Sequence, residues 1–361
     1  MNTLLVISNA LSASDEYIAY IRRTIANSTR PVDTVMTLEE SDSSLPLVLQ
    51  SLTELSGTLF IAASKKSFAT VSKILSTLGN DDLQANGELL MPTKTDLYDE
   101  SGYLLHLGEC RIHLFLANPD AALPKLLIHE KSARLSLHLF GMDADDGSLL
   151  LHGIAQSCHV RLSPRKHVGG WGIIDLSSDK ASDVNHFLEQ TQIFFPGKIA
   201  VSNDIMAHTV ERLAKLGKKI SFAESCTGGL IASLFTRVSG SSSVFDGSMV
   251  TYANEIKSGW LGVNATSLMA FGAVSTPVVE EMAMGILEKT GADYSLAVSG
   301  IAGPTGGSVE KPVGTVYIAT ASRQNGVRSE RLHLQGDREY IRIASAYNTI
   351  RLLLEAHPEL I

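Results

Sequence analysis

The stretch Ile220–Lys257, ISFAESCTGGLIASLFTRVSGSSSVFDGSMVTYANEIK, carries most of the information about the fold. It begins as a short apolar strand and turns at Glu224-Ser225-Cys226-Thr227-Gly228-Gly229 into a helix with apolar residues at helical spacing. A Ser-rich loop at 239–243, a second strand and Lys257 follow. Hydroxyls and glycines at a helix start leave N–H groups free to meet an anion.

The length and composition limit the class of protein. A chain of 361 residues predicts two or three domains, and 44% hydrophobic with 19% charged residues is typical of a globular protein. The formal net charge of -8 argues against a nucleic-acid partner held through phosphates. The three cysteines lack CxxC spacing, which favours a reducing cytoplasm. The first residues predict neither a signal peptide nor a transmembrane helix, so we expect no membrane partner.

The first segment, 1–131, alternates between strand and helix patterns, which is typical of a small α/β domain. The predicted strands are 3–8, 32–36, 57–63 and 113–116, and the predicted helices are 14–26, 45–55 and 67–78.

The second segment, 132–198, has a different pattern and is predicted to be a small α+β module. Its predicted strands are 135–140, 155–162 and 172–175, its helix is 181–191, and Phe195-Pro196-Gly197 predicts a linker after it. The basic tract 161–171 is compatible with a nucleic-acid or phosphate contact, but we favour a solvated loop.

The last segment, 200–361, is predicted to be a three-layer α/β/α domain. Helices are predicted at 205–216, from Thr276 onwards and at 338–354, and strands at 219–223, 294–299 and 313–320. The chain as a whole is therefore predicted to be an α/β protein.

Three clusters of glycine or serine, at 225–229, 240–243 and 300–307, follow or precede these strands and helices. Because α/β folds gather their loops at strand ends, the clusters together predict one shared ligand pocket. None of them matches GxGxxG or GxxxxGK[ST], which disfavours a dinucleotide site or a P-loop.

Ser225 has two interpretations, a helix N-cap and a nucleophile held at a strand-to-helix turn, and the pattern does not decide between them. No histidine lies between His208 and His333, so a nucleophilic Ser225 needs another base, such as a buried lysine of lowered pKa. Lys257 is the candidate, against the alternative of a surface lysine. Tyr252 is either a hydrogen-bond partner of this pair or a half-buried structural residue.

Each of the remaining candidate site residues also has a structural interpretation. Ser241 and Ser242 are binding hydroxyls or turn residues. Cys226 stands where thiolates are stabilised, but we favour a small core residue. Arg338 neutralises a phosphate or forms a salt bridge at a helix start. The histidines show no HxxxH or HExxH pattern, so no metal site is predicted.

Several ordered motifs, AESCTGGLIA, GSSSVF, VTYANEIK, VSGIAGPTGGSVEKPVGTVYIA and QGDREYIR, resemble the CinA C-terminal domain over about residues 203–355. The resemblance implies a nicotinamide mononucleotide amidase that recycles pyridine nucleotide. The family's nucleophile corresponds to Ser225, its base to Lys257 and its assisting tyrosine to Tyr252. The arginine of the family's GDR motif corresponds to Arg338.

We expect substrate contacts from the three clusters and the GDR arginine, without a metal or organic cofactor. The predicted substrate-binding residues are Thr227, Gly228, Ser241, Ser242, Gly303, Thr305 and Arg338. The resemblance also implies a homo-oligomer, a dimer or larger. Two alternatives stay open: a non-catalytic nucleotide-binding or scaffold protein of the competence or damage-inducible type, and a hydrolase of another small amide.

The first two segments resemble the remainder of full-length CinA proteins. Residues 1–131 are similar to the molybdopterin-binding-like domain and 132–198 to a KH-type module. The family's phosphate-binding glycine motifs correspond here to Ser8-Asn9-Ala10-Leu11-Ser12 and Ala62-Ala63-Ser64-Lys65-Lys66-Ser67, which lack glycine. We therefore expect the first domain to keep its fold, to have lost ADP-ribose pyrophosphatase activity and to serve assembly or interaction.

Overall fold

The computed structural model describes residues 1–7, 9, 14–128, 135–178 and 180–361. The chain forms two compact units, Met1–Ser132 and Ala133–Ile361. The expected family motif at 8–12 and the predicted boundary at 131 and 132 fall largely outside the described residues. Among the helices that are described, none combines the length and the apolar character that crossing a bilayer requires.

The first unit is built on one mixed sheet. Its strands are β1 (Asn2–Ile7), β2 (Thr34–Leu38), β3 (Gly57–Ala63), β4 (Leu83–Asn86), β5 (Leu89–Pro92), β6 (Leu97–Tyr98), β7 (Gly102–Leu107) and β8 (Cys110–Leu116), and its helices are α1 (Asp15–Ser28), α2 (Leu45–Thr53) and α3 (Lys65–Leu78). The order is β2-β1-β3-β8-β7-β6, with the first four strands parallel and β7 and β6 antiparallel.

This sheet is covered on both faces, as its all-buried strand β1 requires. Leu5 and Ile7 pack into one hydrophobic cluster, whereas Leu4 and Val6 pack into another. The hairpin of β4 and β5 was absent from the sequence prediction and forms a separate two-stranded sheet.

The second unit begins with a four-stranded antiparallel sheet of order β10-β11-β9-β12. Its elements are β9 (Leu135–Phe140), α4 (Ala144–Ser157), β10 (Arg161–Arg165), β11 (Trp171–Ser177), α5 (Ala181–Phe194) and β12 (Ile199–Val201). The strand predicted at 155–162 is wrong at its start, because Leu151 and Ala155 are buried one helical turn apart on α4.

A five-stranded sheet of order β14-β13-β15-β16-β17 completes the second unit. Its elements are α6 (Ile205–Leu216), β13 (Ile220–Glu224), α7 (Leu230–Thr236), β14 (Ser248–Val250), α8 (Asn254–Leu261), α9 (Ala265–Phe271), α10 (Thr276–Thr290), β15 (Tyr294–Gly300), β16 (Thr315–Ser322), β17 (Gly326–His333) and α11 (Arg338–Ala356). Strands β14, β13 and β15 are parallel, and β16 and β17 extend the sheet antiparallel.

Alternate residues of these strands pack into two different cores. Phe222 and Leu296 lie in a cluster with residues of α6, α7 and α11, whereas Ala223 and Ala297 lie in a cluster with residues of α10. Helices therefore cover both faces, which gives the α/β/α layering predicted for this segment. Trp171 of β11 belongs to the first of these clusters, so the small sheet and the larger one share a core.

Candidate active site

Most of the predicted site residues lie at one edge of the five-stranded sheet. Parallel strands end at the same edge, and the residue pairs Glu224↔Val250 and Glu224↔Val298 align β13 with its two neighbours there. The N–H of Thr251 donates to the Glu224 carbonyl oxygen at 2.8 Å. The chain segments after β13, β14 and β15 therefore begin side by side.

Ser225 is the first residue after β13 and is not a helix N-cap. Helix α7 begins at Leu230, and its N-cap is Gly229 with a positive φ of 99°. Four residues thus separate the serine from the first helical residue, and the Ser225 N–H donates to the Val298 carbonyl oxygen at 3.1 Å. The structure removes the capping interpretation and leaves the Ser225 hydroxyl available for chemistry.

A buried carboxylate, Glu224, holds the turn from inside. It accepts hydrogen bonds from the Thr227 hydroxyl at 2.7 Å and from three N–H groups at 2.9–3.1 Å, those of Gly229, Ile231 and Ala232. Free N–H groups were expected at this helix start, but those of Gly229, Ile231 and Ala232 already donate to Glu224. The Glu224 carboxylate is itself the anion at the N-terminus of α7, and it neutralises the partial positive charge of that helix end.

Lys257 lies on α8 and is 1% exposed, so it is not a surface lysine. Its Nζ lies 3.2 Å from Ser225 Oγ, 2.7 Å from the Thr251 carbonyl oxygen and 3.0 Å from the Tyr252 carbonyl oxygen. The amine lies near the serine because α8 begins at Asn254, shortly after β14, and the end of β14 pairs with the end of β13.

The surroundings of Lys257 disfavour its charge. Burial lowers the pKa of its amine, with the neighbouring Cys226 acting weakly in the opposite direction. Within the described part of the chain, Lys257 forms no ion pair with a carboxylate. Burial raises the pKa of the Cys226 thiol to about 12, so this cysteine is a neutral core residue, as favoured from the sequence.

Arg338 joins two other predicted residues to this edge. Its Nη1 donates to the Gly303 carbonyl oxygen at 2.6 Å, and its Nη2 donates to the Tyr252 hydroxyl at 3.3 Å. Tyr252 is 63% exposed, so the half-buried structural interpretation does not hold. Its hydroxyl meets Arg338, and its contact with Lys257 is made by the backbone carbonyl.

The structure does not bring every predicted binding residue to this edge. The loop with Ser241 and Ser242 precedes β14 and adjoins the opposite end of β13, where the Ile220 N–H donates to the Val244 carbonyl oxygen at 2.8 Å. Among the residues that the structure describes, the three clusters therefore do not form one shared pocket. Thr227 is fully buried on Glu224, and Thr305 is exposed in the loop after β15.

Two residues of the site were missed by the sequence analysis, Glu224 and Arg342. Arg342 donates to the carbonyl oxygens of Thr227 at 2.9 Å and Cys226 at 3.3 Å. Residues four apart on a helix share a face, so Arg342 follows from Arg338 and the predicted helix at 338–354. Glu224 immediately precedes Ser225, but a buried carboxylate on a strand has no distinctive pattern.

The comparisons with known proteins concern this part of the chain. Residues 202–357 match the family model of the CinA C-terminal domain. A nicotinamide-nucleotide amidohydrolase PncC from Enterobacter agglomerans is 48% identical over 135 residues, which are 37% of this chain and 82% of that protein. A CinA-like protein from Prochlorococcus marinus strain MIT 9215 is 46% identical over 150 residues, which are 40% of this chain but only 35% of the relative.

Solved structures match the same share of the chain. The competence/damage inducible protein CihA from Agrobacterium tumefaciens is 41% identical and covers 43% of this chain and 96% of its own, with a TM-score of 0.42. The competence damage-inducible protein A (ComA) from Klebsiella pneumoniae is 35% identical and covers 42% and 93%, with a TM-score of 0.41. By its C-terminal domain, this chain belongs to the CinA family.

Proposed function

We propose that the second unit is an amidase that converts nicotinamide mononucleotide and water into nicotinic acid mononucleotide and ammonia. The observation that carries the proposal is the buried amine of Lys257, which lies 3.2 Å from the Ser225 hydroxyl and has no carboxylate partner among the described residues. The 48% identity to a nicotinamide-nucleotide amidohydrolase supports the choice of substrate.

The contacts of Lys257 fit a general base. A neutral amine has two N–H groups and one lone pair, whereas an ammonium has three donors and no acceptor. The carbonyl oxygens of Thr251 and Tyr252 accept the two N–H groups, which leaves the lone pair directed at the hydroxyl of Ser225. In this state every hydrogen-bonding position of the amine is used and the serine proton has an acceptor.

The reaction then follows the course of a serine amidase. Ser225 Oγ bonds to the carboxamide carbon while Lys257 Nζ takes the hydroxyl proton. The carbon–nitrogen bond breaks, the Lys257 ammonium returns that proton to the departing nitrogen, and ammonia leaves. Water attacks the ester on Ser225, with Lys257 again taking a proton and then returning it to Ser225 Oγ.

The negative oxygen of the tetrahedral intermediate needs a hydrogen-bond donor. In the part of the chain that the structure describes, the Cys226 N–H contacts its own thiol and donates to no other residue. Cys226 retains 5% exposure beside Ser225 at 8%, whereas Thr227 is fully buried. We propose that the Cys226 N–H binds the oxyanion, and that Arg338 and the Gly303 loop bind the nucleotide beside it.

The test is the product formed by the full-length chain from nicotinamide mononucleotide, nicotinamide riboside and free nicotinamide. We expect ammonia and nicotinic acid mononucleotide from the nucleotide, with much slower release from the two compounds that lack phosphate. Faster release from another amide would move the proposal to that substrate. No ammonia from any of them would favour the binding or scaffold alternative.

We also propose that the chain self-associates, as the resemblance implies. Large apolar side chains stand exposed on α8 and α9, namely Trp260 at 52%, Met269 at 88% and Phe271 at 53%. Light scattering should give a mass of at least two copies, and a monomer at assay concentrations would contradict this proposal.

A further inference from the structure

Arg342 makes an unusual set of contacts for an arginine near a surface. Its Nη2 donates to the Thr227 carbonyl oxygen at 2.9 Å and its Nε to the Cys226 carbonyl oxygen at 3.3 Å. Among the described residues, the carboxylate that pairs with it is that of Glu339 at 2.6 Å, which is 59% exposed. Because an exposed ion pair stabilises a protein little, the main contacts of the guanidinium are those with the backbone of the Ser225 turn.

These contacts start a chain of hydrogen bonds that ends next to the nucleophile. The Thr227 carbonyl belongs to the same peptide group as the Gly228 N–H, which donates to the Ser225 carbonyl oxygen at 3.1 Å. The Ser225 carbonyl in turn shares its peptide group with the Cys226 N–H. A cation at one end of such a chain polarises each peptide group in sequence and strengthens the last donor.

The last donor stands where an amidase needs one. The N–H of the residue after the nucleophile is an oxyanion donor in serine hydrolases built on a strand-to-helix turn. Glu224 occupies the N–H groups of Gly229, Ile231 and Ala232, and these are therefore closed to the substrate. Glu224 and Arg342 thus bind different groups of the turn. The carboxylate of Glu224 accepts from N–H groups at the start of the helix, and the guanidinium of Arg342 donates to carbonyl oxygens of the turn.

We propose that Arg342 is a positioning residue that fixes the Ser225 turn and polarises the Cys226 N–H through two peptide groups. The inference rests on the proposed amidase function, because it assigns Arg342 to the oxyanion of that reaction. Arg342 acts through the backbone and does not touch the substrate. Its effect therefore belongs to kcat and leaves KM nearly unchanged, since the oxyanion exists only after attack.

The experiment compares Arg342→Met with Glu339→Gln and the parent chain. Removing an oxyanion donor outright costs about 10²–10³-fold in kcat, so weakening one should cost about 10- to 100-fold, with KM within about twofold. Glu339→Gln removes the charge beside Arg342 without touching the turn carbonyls, and it should stay within about twofold of the parent. Thermal unfolding of each variant checks the fold, and Arg342→Gln replaces Arg342→Met if the latter does not fold.

A second substrate separates polarisation from misfolding of the site. Sulfur accepts hydrogen bonds more weakly than oxygen, so ammonia release from the thioamide analogue of nicotinamide mononucleotide depends less on the donor. We expect Arg342→Met to lower the amide-to-thioamide ratio of kcat by about fivefold or more. An equal loss for both substrates, or an amide kcat within twofold of the parent, would overturn the inference. A parent chain that releases no ammonia from either would instead overturn the proposed function.

Discussion

At the scale of single residues, the site depends on a lysine kept without a counter-charge. Lys257 is enclosed between β13 and the turn that follows β14, and its nearest partners are a hydroxyl and two carbonyl oxygens. Removing an amine from water disfavours its charged form, which is the physical cause of its lowered pKa. Because burial disfavours the charged form of the Lys257 amine, it favours the neutral form, which can accept a proton.

The first prediction concerns pH. The fraction of neutral Lys257 falls as the pH drops through its lowered pKa, so kcat/KM should rise with pH to a plateau. The midpoint of this rise should lie below the ordinary lysine value of 10.5. A pH series of ammonia release measures it, and a rate constant that is flat between about pH 5 and 9 would contradict Lys257 as base.

Lys257→Arg provides the control for that assignment. A guanidinium keeps its proton at all accessible pH values, so this variant should show no rising limb and almost no ammonia release. If the variant kept the parent's pH profile, the titrating group would have to be another residue.

The sequence was informative at this scale where chemistry and pattern coincide. The absence of a nearby histidine directed attention to Lys257, and the resemblance paired it with Ser225. The prediction for Tyr252 was less accurate. The sequence does not show whether a residue contacts its neighbour through its side chain or, as Tyr252 contacts Lys257, through its backbone carbonyl. Glu224 was missed because its role depends on three N–H groups that only the folded turn brings together.

At the scale of elements, the position of α8 depends on its close contact with helix α10. A Cβ added at Gly285 of α10 would stand 2.1 Å from the Leu261 carbonyl oxygen, at the end of α8. The glycine thus allows the two helices to approach closely, and the approach holds the helix that carries Lys257.

Gly285→Ala should therefore destabilise the protein, although alanine favours a helix by about 1 kcal/mol over glycine. The forced separation of the helices should lower the free energy of unfolding by about 1–3 kcal/mol, measured by denaturant titration. Gly259→Ala on α8 is the matched control, because no atom lies within 4 Å of its added Cβ. Equal stabilisation by both substitutions would show that the contact at Leu261 is not limiting.

Most elements of the second unit were predicted from periodicity, and the errors have local causes. The helix prediction 205–216 coincides with α6, but β17 was missed, because its exposed residues give little hydrophobic alternation. The Ser-rich loop was assigned to the site because it lies beside predicted elements, and α/β folds gather such loops at strand ends. Only the parallel pairing of β14 with β13 places that loop at the other end of the sheet.

At the scale of the whole molecule, all residues of the proposed site belong to the second unit. The first unit has a mostly parallel sheet. The start of α3 lies in the stretch 62–67, which the resemblance aligns with a phosphate-binding loop of the family. Ser64 caps the helix by accepting from the Ser67 N–H, and its hydroxyl donates to Glu40 at 2.6 Å.

We therefore predict that the full-length chain does not hydrolyse ADP-ribose with Mg²⁺ or Mn²⁺. The Glu40 carboxylate places a negative charge beside the start of α3, which would repel a phosphate there, and residues 62–67 include no glycine. Chromatography of the nucleotides after incubation with each metal tests this prediction. Metal-dependent formation of AMP would show that the first unit is still a pyrophosphatase.

The most direct test of the account is ammonia release from nicotinamide mononucleotide by the parent chain and by Ser225→Ala. The loss of a nucleophile should lower kcat by about 10⁴-fold or more, with thermal unfolding unchanged. Release by the parent and none by the variant is the predicted result. Comparable release by both would contradict the central claim, because the bond would then be broken without the Ser225 hydroxyl.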